Sequence, residues 1–394
     1  MRTETDSGKV IVYLQGRIDS TNAPEMEKEL EAVMAENPEY EPVLDAGELP
    51  YISSAGLRVL LQITKKQGHA LTVRNVSPEV YEIMEMTGFV DILDVKKKLR
   101  EFQVDGCEIV GRGAVGTVYR VDEDTIVKVY ELPDSLPMIE NEQKRAKQAF
   151  LKGIPTAISY DVVKVGDKYG SVFEMLKAST YNDVIIAQPQ RKDEIVRRYA
   201  HFIRELHAVE MERGELPEAK AVFMNYLAEL RPILPGGLYD RLYALFEKMP
   251  ENLHVVHGDI QMKNIMLSGN EPLLIDMDTL SVGDPVFDLM GLYVTYSLFN
   301  EDEPGNTEQF LGISNEMSAF IWAKTMEYYF DDRDSDVLAA AEKKVRIVGC
   351  VRFLFLVAVL GIGKQELKQL RIDRVLAYLQ ELADQVDSLE IESR

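Results

Sequence analysis

His257-Gly258-Asp259-Ile260-Gln261-Met262-Lys263-Asn264, followed further on by Leu274-Ile275-Asp276, is the stretch on which the reading of this chain turns. Asp259 and Asn264 fit a loop between two apolar runs, Leu253 to Val256 and Ile265 to Leu267. Asp276 ends a third apolar run, Pro272 to Ile275. An acid, an amide and a second acid at fixed spacing suit the transfer of a phosphoryl group from a nucleotide to a hydroxyl. One carboxylate faces the attacking hydroxyl, while the amide and the second carboxylate hold Mg²⁺. The charge lies on the phosphates, so these oxygens must converge from short, rigid segments. The competing reading is a surface turn with scattered acids, and the flanking sequence has to choose between them.

Upstream, a strand over Cys107 to Val110 leads into Gly111-Arg112-Gly113-Ala114-Val115-Gly116-Thr117-Val118-Tyr119. Glycines at this spacing let a hairpin backbone approach phosphates. The strand Thr125 to Tyr130 carries Lys128, and the helix Ile139 to Leu151 offers Glu140 and Glu142. Glu142 shares an inward face with Ala146 and Ala149 and is chosen over Glu140. Two strands follow, Asp161 to Val165 and Gly170 to Met175, leading to Glu174-Met175-Leu176-Lys177. Helical patterns then dominate, beginning with Glu194 to Val209, where His201 and His207 are read as structural.

The glycine motif resembles the loop that lies over nucleotide phosphates in protein kinases. That resemblance implies contacts from Gly111, Gly113, Gly116 and Val118, and a Lys128–Glu142 pair on the α- and β-phosphates of ATP. It also implies a hinge at Glu174 and Leu176 that holds the adenine by backbone hydrogen bonds. His-Gly-Asp…Asn…Ile-Asp, with the later Gly283-Asp284-Pro285 and Asp288, resembles the aminoglycoside phosphotransferase and choline kinase branch of that fold. On this resemblance Asp259 is the base that orients the acceptor hydroxyl, and Asn264 and Asp276 are the Mg²⁺ ligands. Lys263 either reaches the transferring phosphoryl or is a solvated loop lysine. His257 is a scaffold for the loop, and Asp278 a supporting acid. Gly258 stands where protein kinases have arginine, and Asp276-Met277-Asp278 where they have Asp-Phe-Gly. No Ala-Pro-Glu follows, so an activation segment is not expected.

The first hundred residues alternate strands (Lys9 to Leu14, Pro42 to Asp45, Leu71 to Val73) with helices (Asn22 to Glu36, Ser54 to Lys66, Pro78 to Thr87). This predicts a small α/β sheet. Asp45-Ala46-Gly47-Glu48-Leu49-Pro50-Tyr51-Ile52-Ser53-Ser54-Ala55-Gly56-Leu57 resembles the STAS domain of bacterial anti-sigma factor antagonists. In that family a serine at the start of this helix is phosphorylated by a partner kinase, and Ser54 is the matching position, with Ser53 beside it. A phosphate at a helix N-terminus meets unpaired N–H groups. Two readings of Ser53 and Ser54 stand, helix caps or phosphosite. An anti-sigma factor-like protein partner is implied by the same resemblance.

The fold class expected is therefore two domains: an N-terminal α/β STAS fold and a C-terminal α+β bilobal protein kinase-like fold. The boundaries read as 1–100 for the first domain and 101–106 for a linker that follows the basic cluster Lys96 to Arg100. The kinase-like N-lobe then spans 107–178, the C-lobe 179–365, and an amphipathic C-terminal helix 366–394. Trp322, Tyr328, Tyr329 and Phe330 either line an acceptor pocket or belong to the core. The net charge of −22, from 66 acidic and 44 basic side chains, argues against nucleic-acid and anionic-membrane partners. Two cysteines and a polar N-terminus suit a reducing cytoplasm. Three functions remain open: a kinase of a small-molecule hydroxyl, a protein serine kinase acting on Ser54, and a nucleotide-sensing module without catalysis.

Overall fold

The computed structural model describes residues 1–113, 115–132, 135–269, 271–330 and 335–391. Ala114 of the glycine motif and the last three residues of the expected C-terminal helix lie outside them. The chain divides into two compact units, Met1–Gln103 with Val162–Asp167, and Val104–Asp161 with Lys168–Arg394.

The first unit is built on a five-stranded sheet of order β1-β2-β3-β4-β5. Its elements run β1 (Arg2–Asp6), β2 (Lys9–Gln15), α1 (Ala23–Glu36), β3 (Glu41–Glu48), α2 (Ser54–Gln67), β4 (Thr72–Val76), α3 (Pro78–Met86) and β5 (Asp94–Lys97). β2 to β5 pair in parallel, and β1 adds antiparallel to the edge. One core joins them, with Val12, Leu44, Leu60, Ile63 and Val73 buried. Ser53 Oγ caps α2 by accepting from Gly56 N at 3.4 Å, and Ser77 Oγ caps α3 at Val80 N. Part of the basic cluster lies in the sheet of the first unit. Lys96 and Lys97 fall in β5, because Val95 pairs with Val73 and carries them into the sheet. The short strand β6 (Arg100–Glu101) pairs in parallel with β10 (Asp161–Val165) at Val163 and Lys164, which groups Val162–Asp167 with the first unit.

The second unit begins with an antiparallel sheet of order β11-β9-β8-β7. It comprises β7 (Glu108–Arg112), β8 (Gly116–Arg120), β9 (Thr125–Tyr130) and β11 (Lys168–Glu174), with α4 (Leu136–Leu151) between β9 and β10. Next come β12 (Ser179–Thr180), α5 (Tyr181–Ala187), α6 (Lys192–His207), α7 (Ala219–Leu230) and α8 (Gly236–Lys248). The stretch around Asp259 is framed by β13 (Val255–Val256), the hairpin of β14 (Ile265–Ser268) and β15 (Glu271–Leu274), and β16 (Ser281–Val282). β13 pairs with β16, bringing His257 and the segment after Asp276 side by side.

The remaining helices are α9 (Val286–Tyr293), α10 (Phe299–Asp302), α11 (Asn306–Leu311), α12 (Asn315–Tyr329), α13 (Ser335–Leu354) and α14 (Lys368–Leu382). α11 and α12 are separate helices, because Gly312 turns left-handed at φ 71° and Ser314 caps a new start. One expectation is corrected here. The C-terminal helix ends at Leu382, a 3₁₀ turn follows over Ala383–Gln385, Val386 is extended, and residues 386–391 form no helix. Arg241 takes the carbonyls of Ala383 and Val386, which draws that segment out of the helix. Leu389 and Ile391 are buried in the core, worth about 1.5–3 kcal/mol each. Leu370 on α14 is exposed. Trp322, Tyr328, Tyr329 and Phe330 are all buried, so they are core and not pocket lining. Among the described residues no helix is long and apolar enough to cross a membrane.

Candidate active site

Lys128 lies mid-strand on β9, directly opposite Val118 on β8. Its Nζ is 3.4 Å from Glu142 Oε1 and 2.5 Å from Asp276 Oδ1. Burial works against the ammonium, but Glu142 and Asp276 overcome it and hold its pKa above the ordinary lysine value. Glu142 is 6% exposed on the inner face of α4, whereas Glu140 is exposed to solvent. The second oxygen of Glu142 accepts from Tyr130 Oη at 2.6 Å. Tyr130 sits two residues past Lys128, on the same face of β9, and is fully buried. No sequence motif singles it out; alternation along the strand was the available signal.

The glycines of the hairpin are not equivalent. A Cβ at Gly116 would fall 2.3 Å from the carbonyl oxygen of Val129, so β8 and β9 approach there only because the side chain is missing. Gly111 and Gly113 meet nothing closer than 3.7 Å and 3.8 Å. Gly113 N donates to Gly116 O at 2.9 Å and closes the turn. Glu174 ends β11 and is exposed, Leu176 is half-buried just after it, and Met175 N between them donates to Asp124 O.

The second half of the site is held by buried polar groups. His257 is fully buried. Its Nε2 donates to Ile275 O at 3.1 Å, and its Nδ1 accepts from Asp259 N at 3.3 Å. It ties the loop to the strand that delivers Asp276. Gly258 adopts φ 82°, and a Cβ there would meet Thr279 at 2.9 Å. Asp288 on α9 accepts from the backbone N–H of both His257 and Gly258. It also accepts from His207 Nε2 at 2.9 Å, while His207 Nδ1 meets Tyr329 Oη at 2.8 Å. Burial opposes the Asp288 charge, but His207 and the His257 amide pull its pKa below the usual range. His207 is therefore structural with an acid partner that sequence reading missed, since 81 residues separate the two. His201 is exposed and pairs with Glu205.

Asp259 is half-buried, and that burial pushes its pKa above the ordinary carboxylate range. Gln261 Nε2 donates to both of its oxygens, at 3.2 Å and 2.9 Å. Asn264 Nδ2 donates to Asp259 O and Oδ2, both at 2.9 Å. The amide nitrogen of Asn264 is thereby committed to Asp259. Asp276 adopts φ 65°, a left-handed conformation rare for a residue with a side chain. Asp278 is held up to about 6 by burial and by Asp276 and Glu142, and Arg145 on α4 donates to its backbone carbonyl. Lys263 Nζ lies 4.7 Å over the exposed ring of Phe310.

No cluster of three or more His, Cys, Asp or Glu converges as a metal site among the described residues. The oxygen set of Asn264 and Asp276 nonetheless fits Mg²⁺, which is commonly bound by one or two protein oxygens and completed by phosphates and water. Lys128, Glu142 and Asp276 are brought together, as are Asp259, Gln261 and Asn264. Ser53 and Ser54 belong to the first unit. Ser53 caps α2, and Ser54 is the first residue of that helix and exposed.

The family model for the phosphotransferase enzyme family, APH, matches residues 106–328. The chain belongs to that family. A STAS domain model matches residues 1–102. The chain thus joins an N-terminal STAS domain to a kinase-like phosphotransferase domain. A putative anti-sigma factor antagonist of Bordetella bronchiseptica, BtrV, is 44% identical over 92 residues, covering 22% of this chain and 78% of the relative. The anti-sigma-B factor antagonist of Bacillus subtilis is 29% identical over 90 residues, covering 22% and 81%. Among solved structures, ADP-bound aminoglycoside phosphotransferase APH(2'')-Ib is 17% identical and covers 71% of this chain and 95% of its own, at a TM-score of 0.47.

Proposed function

We propose that the second domain transfers the γ-phosphoryl group of Mg·ATP to a hydroxyl, most favourably on a small molecule, under the influence of the STAS domain. The observation that carries this reading is the convergence of Lys128, Glu142 and Asp276 beside a loop that presents Asp259 and Asn264. Asp259, with its raised pKa, accepts the acceptor's proton as the new P–O bond forms and the bond to the β-phosphate oxygen breaks. Gln261 and Asn264 hold its carboxylate in one orientation. Lys128, released from Asp276 when nucleotide enters, binds the α- and β-phosphates while Glu142 keeps it in place. Gly111, Gly113, Gly116 and Val118 cover the phosphates, and the backbone near Glu174 and Leu176 receives the base. Mg²⁺, held by Asn264 and Asp276, would supply the charge that offsets the phosphates.

The test is ADP release from Mg·ATP across a panel of hydroxyl metabolites and aminoglycosides. One class of acceptor should stimulate release, and Asp259→Ala should lower the stimulated kcat by about 10²–10⁴. A panel in which nothing stimulates release counts against the reading.

A second reading is favoured by Ser54, exposed at the first turn of α2 with Ser53 already serving as cap. The domain would then phosphorylate a protein serine in a partner-switching pathway of the anti-sigma factor antagonist kind. Incubation with labelled ATP and phosphate mapping separates the two. Label on Ser54 that disappears in Asp259→Ala supports the second reading, and an unlabelled chain points to a separate acceptor.

A further inference from the structure

The catalytic loop is tied by two successive carboxylates to the C-terminal segment of the chain. Asp284 lies in the turn between β16 and α9 and is 6% exposed. Its Oδ1 accepts from Val286 N at 2.9 Å, in the first turn of α9. Both of its oxygens also accept from Ile391 N, at 3.2 Å and 3.1 Å. One turn further along α9, Asp288 takes the amides of His257 and Gly258, the two residues before Asp259. Thus a single N–H at position 391 and the proposed base are separated by one short helix with an acid near each end of its first turn.

The segment is anchored well enough to exert force on that helix. Arg241 holds the carbonyls of Ala383 and Val386. Lys344 Nζ donates to Ser388 Oγ at 3.3 Å and to Glu390 O at 2.6 Å. Leu389 and Ile391 are buried. Terminal segments are ordinarily loose unless tied down, and this one is tied at both backbone and side-chain level. A buried carboxylate needs its donors, and Ile391 is the one that spans both oxygens of Asp284.

We propose that Ile391 is a positioning residue for Asp259, acting through Asp284 and α9, so that the segment Val386–Ile391 sets the placement of the catalytic loop. This rests on the reading of Asp259 as the base. Without the Ile391 N–H, the bond to Val286 is what Asp284 keeps among the described residues, and the first turn of α9 is free to shift. Asp288 moves with it, and the amides of His257 and Gly258 lose their fixed acceptor.

The test uses the full chain with Ile391→Pro, which deletes the N–H and keeps an apolar side chain. Two readouts are taken: amide hydrogen exchange at His257 and Gly258, and ADP release from Mg·ATP with water as the acceptor. Exchange should accelerate about tenfold. kcat should fall about tenfold, with KM for ATP changed by less than about twofold. Asp284→Asn, which turns an amide nitrogen toward Ile391, should move both readouts the same way and serves if the proline variant does not fold. Val375→Ala, a buried truncation on α14, supplies a comparably destabilised protein in which neither readout should move. Unchanged exchange at His257 and Gly258 in a folded variant overturns the proposal, as does an equal kcat loss in Val375→Ala. Should the wild type release no ADP with water or with any acceptor of the hydroxyl panel, the reading of Asp259 fails, and exchange alone still decides whether Ile391 holds the loop.

Discussion

The loop around Asp259 and the hairpin around Gly113 face the same task with opposite constructions. In the loop several backbone groups meet partners far away in sequence, while the Asp259 carboxylate is held by its neighbours Gln261 and Asn264. Asp288 serves the amides of His257 and Gly258, Tyr296 Oη accepts from Met262 N at 3.0 Å, and Tyr199 Oη donates to Ile260 O. In the hairpin, β7 is almost wholly exposed, and among the described residues the bond from Gly113 N to Gly116 O is local. The difference separates two duties. The backbone that carries the proposed base is fixed by partners remote in the chain, while the hairpin proposed to cover the phosphates needs only a backbone without side chains.

The contrast breaks most readily at Asp288. Asp288→Ala leaves two amides and His207 buried without their acceptor, and should cost about 3–5 kcal/mol in urea unfolding. A loss under about 1 kcal/mol would mean that the loop does not depend on it.

The next effect is in pH dependence. Burial raises Asp284 to about 6, with Glu390 adding to the shift, while Val286, Ile391 and His207 oppose it. A raised folded-state pKa means the folded protein binds this proton more tightly than the unfolded chain does. The resulting stabilisation is full below about pH 4 and is lost as pH rises through about 6. The stability of Asp284→Asn relative to wild type should therefore rise by about 2–3 kcal/mol between pH 4 and pH 7. A difference that stays constant over that range contradicts the assignment.

On the hairpin side, Gly116→Ala must push β8 off the Val129 carbonyl and should raise KM for ATP about tenfold. Gly111→Ala has room and should change it by less than about twofold. Equal effects from the two would erase the distinction between a packed and a covering glycine. The smallest change expected is Tyr130→Phe, which frees one oxygen of Glu142 and should raise KM for ATP about threefold while kcat holds.

What could be read from the sequence follows the same division. The loop acids, Lys128, and the choice of Glu142 over Glu140 rest on short-range spacing and on one helix face, which survive in a linear text. The helices of the first domain were legible from their caps at Ser53 and Ser77 and their apolar repeats. β1 was not, because all five of its residues are exposed and an edge strand of that kind shows no alternation. β5 was hidden behind a run of lysines. The partners that hold the loop, Gln261 and Asn264 apart, include Tyr199, Asp288 with His207 behind it, and Tyr296, and nothing local marks them. The non-helical segment past Gln385 keeps apolar residues at helical spacing, whereas Arg241 decides the backbone at Val386.

Gly258 has a consequence beyond fit. At φ 82° with Thr279 on one side, the position rejects a handed carbon rather than a large one. A D-alanine, placed there by chemical ligation, would share that backbone hand and direct its methyl away from the position an L-residue would use. The constraint at the centre of the site is thus one of chirality, and no L-residue that carries a β-carbon meets it without moving Thr279.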